Sequence, residues 1–240
     1  MGSSVATTQW SQIVAARDGS TSEAREAMEF LCQTYWQPVY AYIRRRGSDP
    51  ETARDLTQAY FTELLDKNFL VDVDRSKGRF RAFLFASLRH FLAHERDRDQ
   101  ALKRGGGVAT ISLSVAAGEA GYAPAVAEAM SPESLFEYRW AMTVLDRALA
   151  RLEQEAAAAG TLDRFEQLRP YLTSADSSEP YRQTAATLGV SESAIRSAVR
   201  RLRLQLGQCL RAEIAVTVAE PSEVDDEVRS LLRKIQYPSG

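Results

Sequence analysis

Residues that build disulfides and metal centres are scarce in this 240-residue chain, which holds two cysteines and two histidines. Cys32 and Cys209 lie far apart, and Cys32 falls on an apolar helical stripe, so we expect a buried thiol rather than a disulfide or a metal ligand. His90 and His94 are one helical turn apart, but no third ligand stands at a suitable spacing, and we expect no metal. Glycine-rich phosphate loops and nucleophile constellations are also missing, so neither catalytic residues nor a cofactor are expected.

Long apolar runs are absent as well. No stretch is long enough to span a bilayer, and the N-terminus has no signal-peptide core, so we expect a cytoplasmic protein without membrane insertion. Apolar residues make up 45% of the chain and charged residues 26%, as is usual for soluble globular proteins. The length allows one or two domains with cores of their own.

Net charge is nearly absent, at −2, but the charges are unevenly distributed. The segment Arg75–Arg104 holds nine Lys or Arg residues against three acids, and the segment Glu192–Arg211 holds five arginines against one acid. The segment Glu213–Glu227 has six acids and no Lys or Arg. Because phosphates respond to local charge, the two basic segments predict two contacts with nucleic acid.

Apolar residues recur at helical spacing along most of the chain, and no segment has the pattern of a strand. One stripe runs through residues 24–43, and Gly47 is expected to end that helix. A second helix is expected to begin with Asp49 as its cap and Pro50 at the first helical position. A third covers residues 80–98.

The segment Thr184–Arg203, TAATLGVSESAIRSAVRRLR, predicts a helix-turn-helix. Ala185 is small where two helices must cross, Gly189 suits a left-handed turn, and Ser191 can cap the second helix. A buried apolar stripe follows with arginines on the opposite side, which is typical of a helix that reads the major groove. A plain solvated helical hairpin is the alternative interpretation.

The basic helix at 80–98 is the second candidate for a nucleic-acid contact. Phe83 and Phe85 lie near the edges of its apolar stripe, beside Arg81 and Arg89, and aromatic rings next to arginines can hold unstacked bases. The alternative is a surface helix whose arginines are only solvated and whose phenylalanines belong to the core.

Residues 105–130 are rich in Gly, Ala and Ser and lack periodicity, which predicts a flexible linker. Ser131 and Pro132 then open a long helix. A terminal helix at 222–236 has an apolar face that should pack against the helix-turn-helix domain or a partner rather than stay in water. That face consists of Val224, Val228, Leu231, Leu232 and Ile235. The expected fold class is all-α, with two small helical domains on a linker and a C-terminal amphipathic helix.

Two segments, in this order, resemble the sigma-70 family of RNA polymerase sigma factors, in its small extracytoplasmic-function type. The stretch YWQPVYAYIRRRG…DPETARDLTQAYFTELL…KGRFRAFLFASLRHFLAHERDR is similar to region two, and YRQTAATLGVSESAIRSAVRRLRLQL is similar to region four. The resemblance covers residues 25–104 and 135–210, approximately. It divides the chain into a region-two-like domain at 1–104, the linker at 105–130, a region-four-like domain at 131–212 and an acidic extension at 213–240.

The resemblance implies that the protein binds core RNA polymerase, through the β′ clamp helices and the β subunit, and directs it to promoter DNA. The residues that would dock on the polymerase are Asp55, Leu56, Gln58, Phe61 and Glu63. Those that would open and hold the −10 element are Arg75, Lys77, Arg79, Arg81, Phe85, Arg89, His90, Arg96 and Arg98. Those that would read the −35 element as duplex are Ser191, Ser193, Arg196, Ser197, Arg200, Arg201 and Arg203.

Three positions depart from the family's pattern. Ala59 stands where an acid often follows the glutamine of the docking helix, and His90 stands where an asparagine helps to hold a flipped base in some members. Ala198 stands where an arginine often follows the serine of the recognition helix. An anti-sigma factor or a regulatory kinase is a further expected partner, because phosphate on Thr57 would add negative charge beside Ala59.

A stand-alone helix-turn-helix regulator is the alternative function, with the first domain serving effector binding or dimerisation. Such a regulator would not need a DLTQAYF helix beside a basic aromatic helix. An enzyme has no candidate site in this sequence.

Overall fold

The computed structural model describes residues 22–66, 80–102, 128–173, 178–218 and 220–238, and every regular element within those ranges is a helix. The expected all-α class is therefore confirmed for the described residues. The helices, in chain order, are α1 (Ser22–Arg45), α2 (Pro50–Asp66), α3 (Phe80–Leu102), α4 (Pro132–Ala158), α5 (Leu162–Leu168), α6 (Pro170–Thr173), α7 (Ser178–Leu188), α8 (Glu192–Ala215) and α9 (Val224–Gln236), with a 3₁₀ turn at Pro221–Glu223. None of these helices combines the length and the apolar character that crossing a membrane requires.

The predicted boundary between α1 and α2 is confirmed. Gly47 follows the end of α1 with a φ of +99°, in the left-handed region that glycine adopts readily. Asp49 then caps α2, because its Oδ1 accepts hydrogen bonds from the N–H groups of Glu51 and Thr52, both at 3.0 Å. The Thr52 hydroxyl donates to the same carboxylate at 2.6 Å and is the main reason that the pKa of Asp49 is lowered.

The described residues form two compact units. The first unit takes in the described residues up to Thr143 and those from Ile214 onward, and the second unit is Val144–Glu213. The division falls inside α4, whereas the sequence predicts a linker at 105–130. Residues 103–127 lie outside the described part of the chain, so the linker stays a prediction.

Aromatic side chains fill the core of the first unit. Tyr35 is fully buried, and the centroid of its ring lies 5.4 Å from that of Phe80, which meets it edge-on. The ring of Tyr60 packs against Phe91 with centroids 5.5 Å apart, and its hydroxyl donates to the carbonyl oxygen of Leu84 at 2.9 Å. Burial raises the pKa of both tyrosines above its usual range.

The start of α4 is held against the end of α1. Ser131 caps α4 as predicted, since its hydroxyl accepts a hydrogen bond from the N–H of Ser134 at 3.0 Å. Arg45 Nε donates to the carbonyl oxygen of Met130 at 2.8 Å. Met130 and Leu135 are buried beside these polar contacts, so α1 and the first turns of α4 form one packed assembly in the first unit.

A buried ion cluster includes α9 in the first unit. Arg81 on α3 forms ion pairs with Glu137 of α4 and with Glu227 of α9, whose Oε1 lies 3.1 Å from Nη2. The guanidinium carbon lies 4.1 Å from the centroid of the Trp140 ring. Val228 and Leu231 of α9 are buried as well. The expectation that the terminal helix packs is confirmed, but it packs in the first unit and not on the helix-turn-helix domain, because Glu227 pairs with Arg81. The sequence did not predict this partner.

The core of the second unit contains two stacked tyrosines. The ring centroids of Tyr171 and Tyr181 are 4.6 Å apart, with 18° between the ring planes, and the Tyr171 hydroxyl shares a hydrogen bond with that of Thr184 at 2.7 Å. Arg147 Nε donates to the Glu213 carboxylate at 2.8 Å, which links α4 to α8 within this unit. These contacts join α6 to α7 and α4 to α8.

Both cysteines are free thiols. Cys209 is buried, whereas Cys32 is only half-buried, so the predicted burial of Cys32 is met in part. Desolvation raises the pKa of both thiols and keeps them protonated at neutral pH.

Candidate nucleic-acid interface

The turn between α7 and α8 has the predicted helix-turn-helix geometry. Gly189 has a φ of +64°, and the N–H of Val190 donates to the carbonyl oxygen of Ala185 at 3.0 Å. Ala185 is 6% exposed, as the close crossing of the two helices requires. Ser191 Oγ accepts a hydrogen bond from the N–H of Ala194 at 3.2 Å and so caps α8.

One face of α8 is buried in the core of the second unit. Ile195, Ala198 and Val199 pack in one cluster with Tyr181 and Ala185. Ala198 is 5% exposed. An arginine at this position would place its charge in the core, so the departure from the family's pattern at Ala198 has a packing reason in this chain.

The opposite face of α8 is exposed and carries four of the residues expected to read the −35 element. These residues are Ser193, Arg196, Ser197 and Arg200. Arg196 is already engaged: its Nη2 and Nε lie 2.6 and 3.2 Å from Oε1 of Glu192. Its guanidinium carbon also lies 5.3 Å from the centroid of the Tyr181 ring. This arginine is therefore oriented outside the core but partly neutralised by an acid one turn away.

Arg203 and Arg201 lie elsewhere on α8. Arg203 donates from Nη2 and Nε to the carbonyl oxygen of Tyr171, at 2.8 and 3.2 Å, so it is engaged by the fold of the second unit although the residue is exposed. Arg201 is exposed, but it lines a groove with Leu152 and Phe165 on a different side of the helix from Arg196. That these two arginines face the −35 element stays a prediction.

The exposed side of α3 carries the other expected cluster. Arg89, His90, Arg96 and Arg98 are all exposed. Arg98 forms an ion pair with Glu95, with 2.5 Å between Nη1 and Oε1. Arg89 and Arg96 are seven residues apart and share one side of α3, whereas Arg98, nine residues from Arg89, lies on the opposite side.

A cavity of about 320 Å³ lies between α2 and α3, and His90 and Arg98 are among its lining residues. Tyr60 and Phe91 supply aromatic walls, and Ser87, His90 and His94 supply polar ones. The Tyr60 hydroxyl is already bonded to the Ser87 hydroxyl at 2.5 Å. The other polar wall groups are the two histidines and the charged side chains of Glu63, Glu95 and Arg98. A planar group with polar edges fits such a lining.

Two residues expected on this surface pack against other parts of the first unit, Arg81 fully and Phe85 in part. Arg81 is 8% exposed and is held by the ion cluster with Glu137 and Glu227. Phe85 packs between Tyr42 and Phe136, with ring centroids 5.1 Å away on each side. The helical spacing of Arg81 and Phe85 predicted that they lie at the edge of the apolar stripe, facing DNA. The residues that pack against them come from distant parts of the chain, which helical spacing does not show.

The residues expected to dock on polymerase share α2 but differ in exposure. Gln58 is exposed. The half-buried ones are Asp55, Leu56 and Glu63. Phe61 is 4% exposed and stacks on Trp36, with ring centroids 5.8 Å apart and 19° between the ring planes. It therefore packs in the interior under the exposed residues of α2 and does not itself contact a partner.

Thr57 does not suit the regulatory role expected of it. It is fully buried, and its hydroxyl donates to the carbonyl oxygen of Ala53 at 2.6 Å. A kinase cannot reach a hydroxyl in that position while α2 is folded. The hypothesis that phosphate on Thr57 controls docking is therefore wrong for the folded chain.

Three of the expected −10 residues cannot be located. Arg75, Lys77 and Arg79 lie in 67–79, outside the described residues. Within the described ranges, no group of three or more His, Cys, Asp or Glu side chains is arranged to hold a metal ion.

Comparison with known proteins found no matching family model, no matching curated protein and no matching solved structure.

Proposed function

We propose that this protein is a sigma factor, which binds core RNA polymerase and directs it to promoters through a −10 and a −35 element. The observation that carries the proposal is the arrangement at α7 and α8. A left-handed turn at Gly189, a cap at Ser191 and an exposed α8 face bearing Arg196 and Arg200 are the features that a helix needs to enter a major groove.

The first unit supports the second half of the proposal. Arg98 lines a cavity with aromatic and histidine walls, and Arg89 and Arg96 are exposed on another side of the same helix. A strand separated from its complement presents a charged backbone and unstacked bases, and this combination of surfaces accommodates both. We assign the cavity to a base extracted from the −10 element, with His90 at its edge.

The energetics favour two DNA contacts on one scaffold. Extracting a base from the duplex costs a few kcal/mol of free energy, which is on the order of the binding free energy that one small protein–DNA contact contributes. When both contacts are carried by one polymerase, the second forms at a high effective concentration and the two add. A stand-alone regulator would not require the cavity of the first unit.

Docking on the polymerase is assigned to α2. Gln58 is exposed there, and Asp55 lies three residues before it on a neighbouring part of the surface. The proposed surface therefore offers a carboxylate and an amide side by side. The stacked rings of Phe61 and Trp36 pack beneath these two residues.

The test is transcription from promoter DNA with purified core polymerase and the full chain. A sigma factor raises core-dependent synthesis from specific start sites, and thymines near −10 become reactive to a probe for unpaired bases. The stand-alone regulator predicts specific duplex binding without core polymerase and no unpaired thymines. That second result would replace the sigma assignment with the regulator.

A further inference from the structure

Glu192 and Tyr181 engage the guanidinium of Arg196 in different ways. Glu192 accepts hydrogen bonds from Nε and Nη2 of Arg196, at 3.2 and 2.6 Å, and partly neutralises its charge. The ring centroid of Tyr181 lies 5.3 Å from the guanidinium carbon, inside the range of about 6 Å for a cation–π contact. The ring attracts the cation and neutralises no charge, so it can orient Arg196 without competing with DNA for it.

The Tyr181 ring is fixed in the core of the second unit. It is buried and stacks on Tyr171, with ring centroids 4.6 Å apart. Tyr171 is held in turn at its hydroxyl, which shares a hydrogen bond with Thr184, and at its carbonyl oxygen, which accepts hydrogen bonds from Arg203. Because a ring packed in this way cannot follow an exposed side chain, the ring sets the position that the arginine adopts.

The contact acts at the end of α8 that a major groove would receive. Tyr181 lies in the first turn of α7, and Arg196 lies in the second turn of α8, so the contact joins the two helices of the helix-turn-helix. The N-terminal residues of a recognition helix are the ones that contact base edges. The ring therefore contacts the arginine at the part of α8 where base reading takes place.

An arginine that is oriented in advance gains base selection more than general affinity. A long side chain loses rotamer freedom when it is immobilised, and this cost is removed from binding when the free protein already holds the side chain in place. A bidentate contact with guanine needs two N–H groups in a defined orientation, whereas attraction to phosphates needs only the charge. Loss of the ring should therefore affect discrimination between bases.

We infer that Tyr181 is a positioning residue for the −35 element, because its ring fixes the orientation of Arg196, which reads a base edge. The inference rests on the proposed function, since it requires α8 to lie in the major groove of promoter DNA. It also gives Arg203 a part in the arrangement, through the carbonyl oxygen of Tyr171 that supports the stacked rings.

The test compares Tyr181→Met, which replaces the ring with a flexible apolar side chain, and Tyr181→Phe, which keeps the ring. Holoenzymes with each full-length variant are titrated by fluorescence anisotropy on duplexes that carry every single-base substitution in the −35 element. Arg196→Ala identifies the base pair that Arg196 reads, because substitution of that pair no longer weakens binding. At that position Tyr181→Met should lower discrimination about two- to fivefold, as loss of one cation–π contact predicts, and Tyr181→Phe should preserve it.

Three controls separate positioning from a general loss of structure. Phe165→Leu opens a gap in the core of the same unit, so it should lower the urea midpoint and leave discrimination unchanged. The Tyr181→Met/Arg196→Ala double variant should discriminate as Arg196→Ala does. Tyr181→Met should keep the wild-type slope of log affinity against log salt, because it removes no charge.

Equal discrimination in Tyr181→Met and Tyr181→Phe overturns the inference and leaves the sigma assignment standing. A loss that is even over all positions, or one that persists in the Arg196→Ala background, overturns it too, since Tyr181 then acts through the fold. Absence of any base pair that depends on Arg196 has the same consequence. Tyr181→Leu replaces Tyr181→Met if urea unfolding shows that the latter does not fold. A wild-type chain that neither binds core polymerase nor confers selection of a −35 element overturns the proposed function and this inference together.

Discussion

Glu227 of α9 lies 3.1 Å from Arg81 of α3, and both side chains are buried in the first unit. The pair joins positions 146 residues apart, so the C-terminal helix contributes to the interior of a unit formed mainly by the N-terminal half of the chain. Folding of the first unit therefore depends on the chain's C-terminal end.

Removing the Glu227 carboxylate should destabilise the first unit strongly. Glu227→Ala leaves Arg81 with Glu137 alone, and breaking one side of a buried ion pair typically costs about 3–5 kcal/mol. The neighbouring Asp226→Ala removes an acid from an exposed pair with Arg229 and should change stability by less than about 1 kcal/mol. Urea unfolding of both variants measures the difference. Equal stability of the two would show that the Glu227 pair adds nothing to the fold.

Two glycines of the second unit should respond to alanine with opposite signs. Gly189→Ala forces an L side chain into a backbone with φ of +64° and should destabilise the chain by about 1–2 kcal/mol. The cost comes from backbone strain alone, because a Cβ at this position meets no atom within 4 Å. Gly207 lies inside α8, where its Cβ would meet only the flexible end of Arg211 at 3.4 Å. Gly207→Ala should stabilise the chain by about 0.5–1 kcal/mol. Thermal unfolding of the two variants tests the pair, and a shift of the same sign in both contradicts it.

The glycine turn at Gly189 and the buried ion pair of Arg81 show which parts of the structure could be predicted from the sequence. The signals at Gly47, Asp49, Gly189 and Ser191 are local, so they predicted the helix ends and the turn. The role of Arg81 was not predictable, because its partners Glu137 and Glu227 stand 56 and 146 residues away and helical spacing alone placed it at a DNA-facing edge.

The candidate sites show the same limit. Helical spacing correctly put Arg196 and Arg200 outside the core, since the apolar stripe of α8 defines its buried side. Periodicity does not state whether an outer arginine is engaged by the fold, as Arg203 is by the carbonyl oxygen of Tyr171. It also did not indicate that Thr57 would be fully buried on a helix whose next residue, Gln58, is exposed.

Charge reversal on α2 should weaken docking without unfolding the protein. Asp55→Arg places a cation on the half-buried edge of the proposed docking surface, and core affinity should fall tenfold or more, about 1.4 kcal/mol or more. Glu166→Arg makes the same change at an exposed site in the second unit and should leave core affinity unchanged. Competition titrations with core polymerase distinguish them. Wild-type affinity in Asp55→Arg would remove α2 from the docking surface.

Glu192 should act as an internal competitor of DNA for Arg196. Its Oε1 lies 2.6 Å from Arg196 Nη2 on an exposed part of α8, where an ion pair of this kind is worth about 0.2–1 kcal/mol. Glu192→Gln should therefore raise affinity for −35 duplex by up to about fivefold at low salt. The gain should disappear in the Glu192→Gln/Arg196→Ala double variant, measured by fluorescence anisotropy. A gain that survives the double substitution would mean that Glu192 repels phosphates directly and does not act through Arg196.

Arg196 and His90 should affect different steps of initiation. Arg196 lies on the exposed face of α8, and an arginine–guanine pair in the major groove contributes about 1–3 kcal/mol of discrimination, so Arg196→Ala should weaken selection of the −35 element and leave core binding intact. His90 borders the cavity of the first unit, so His90→Ala should leave duplex binding at −35 intact and reduce opening at −10. Footprinting of wild-type, Arg196→Ala and His90→Ala holoenzymes, combined with a probe for unpaired thymines, separates the two effects. Equal loss of closed-complex binding in both variants, or no loss in either, contradicts this division between the two units.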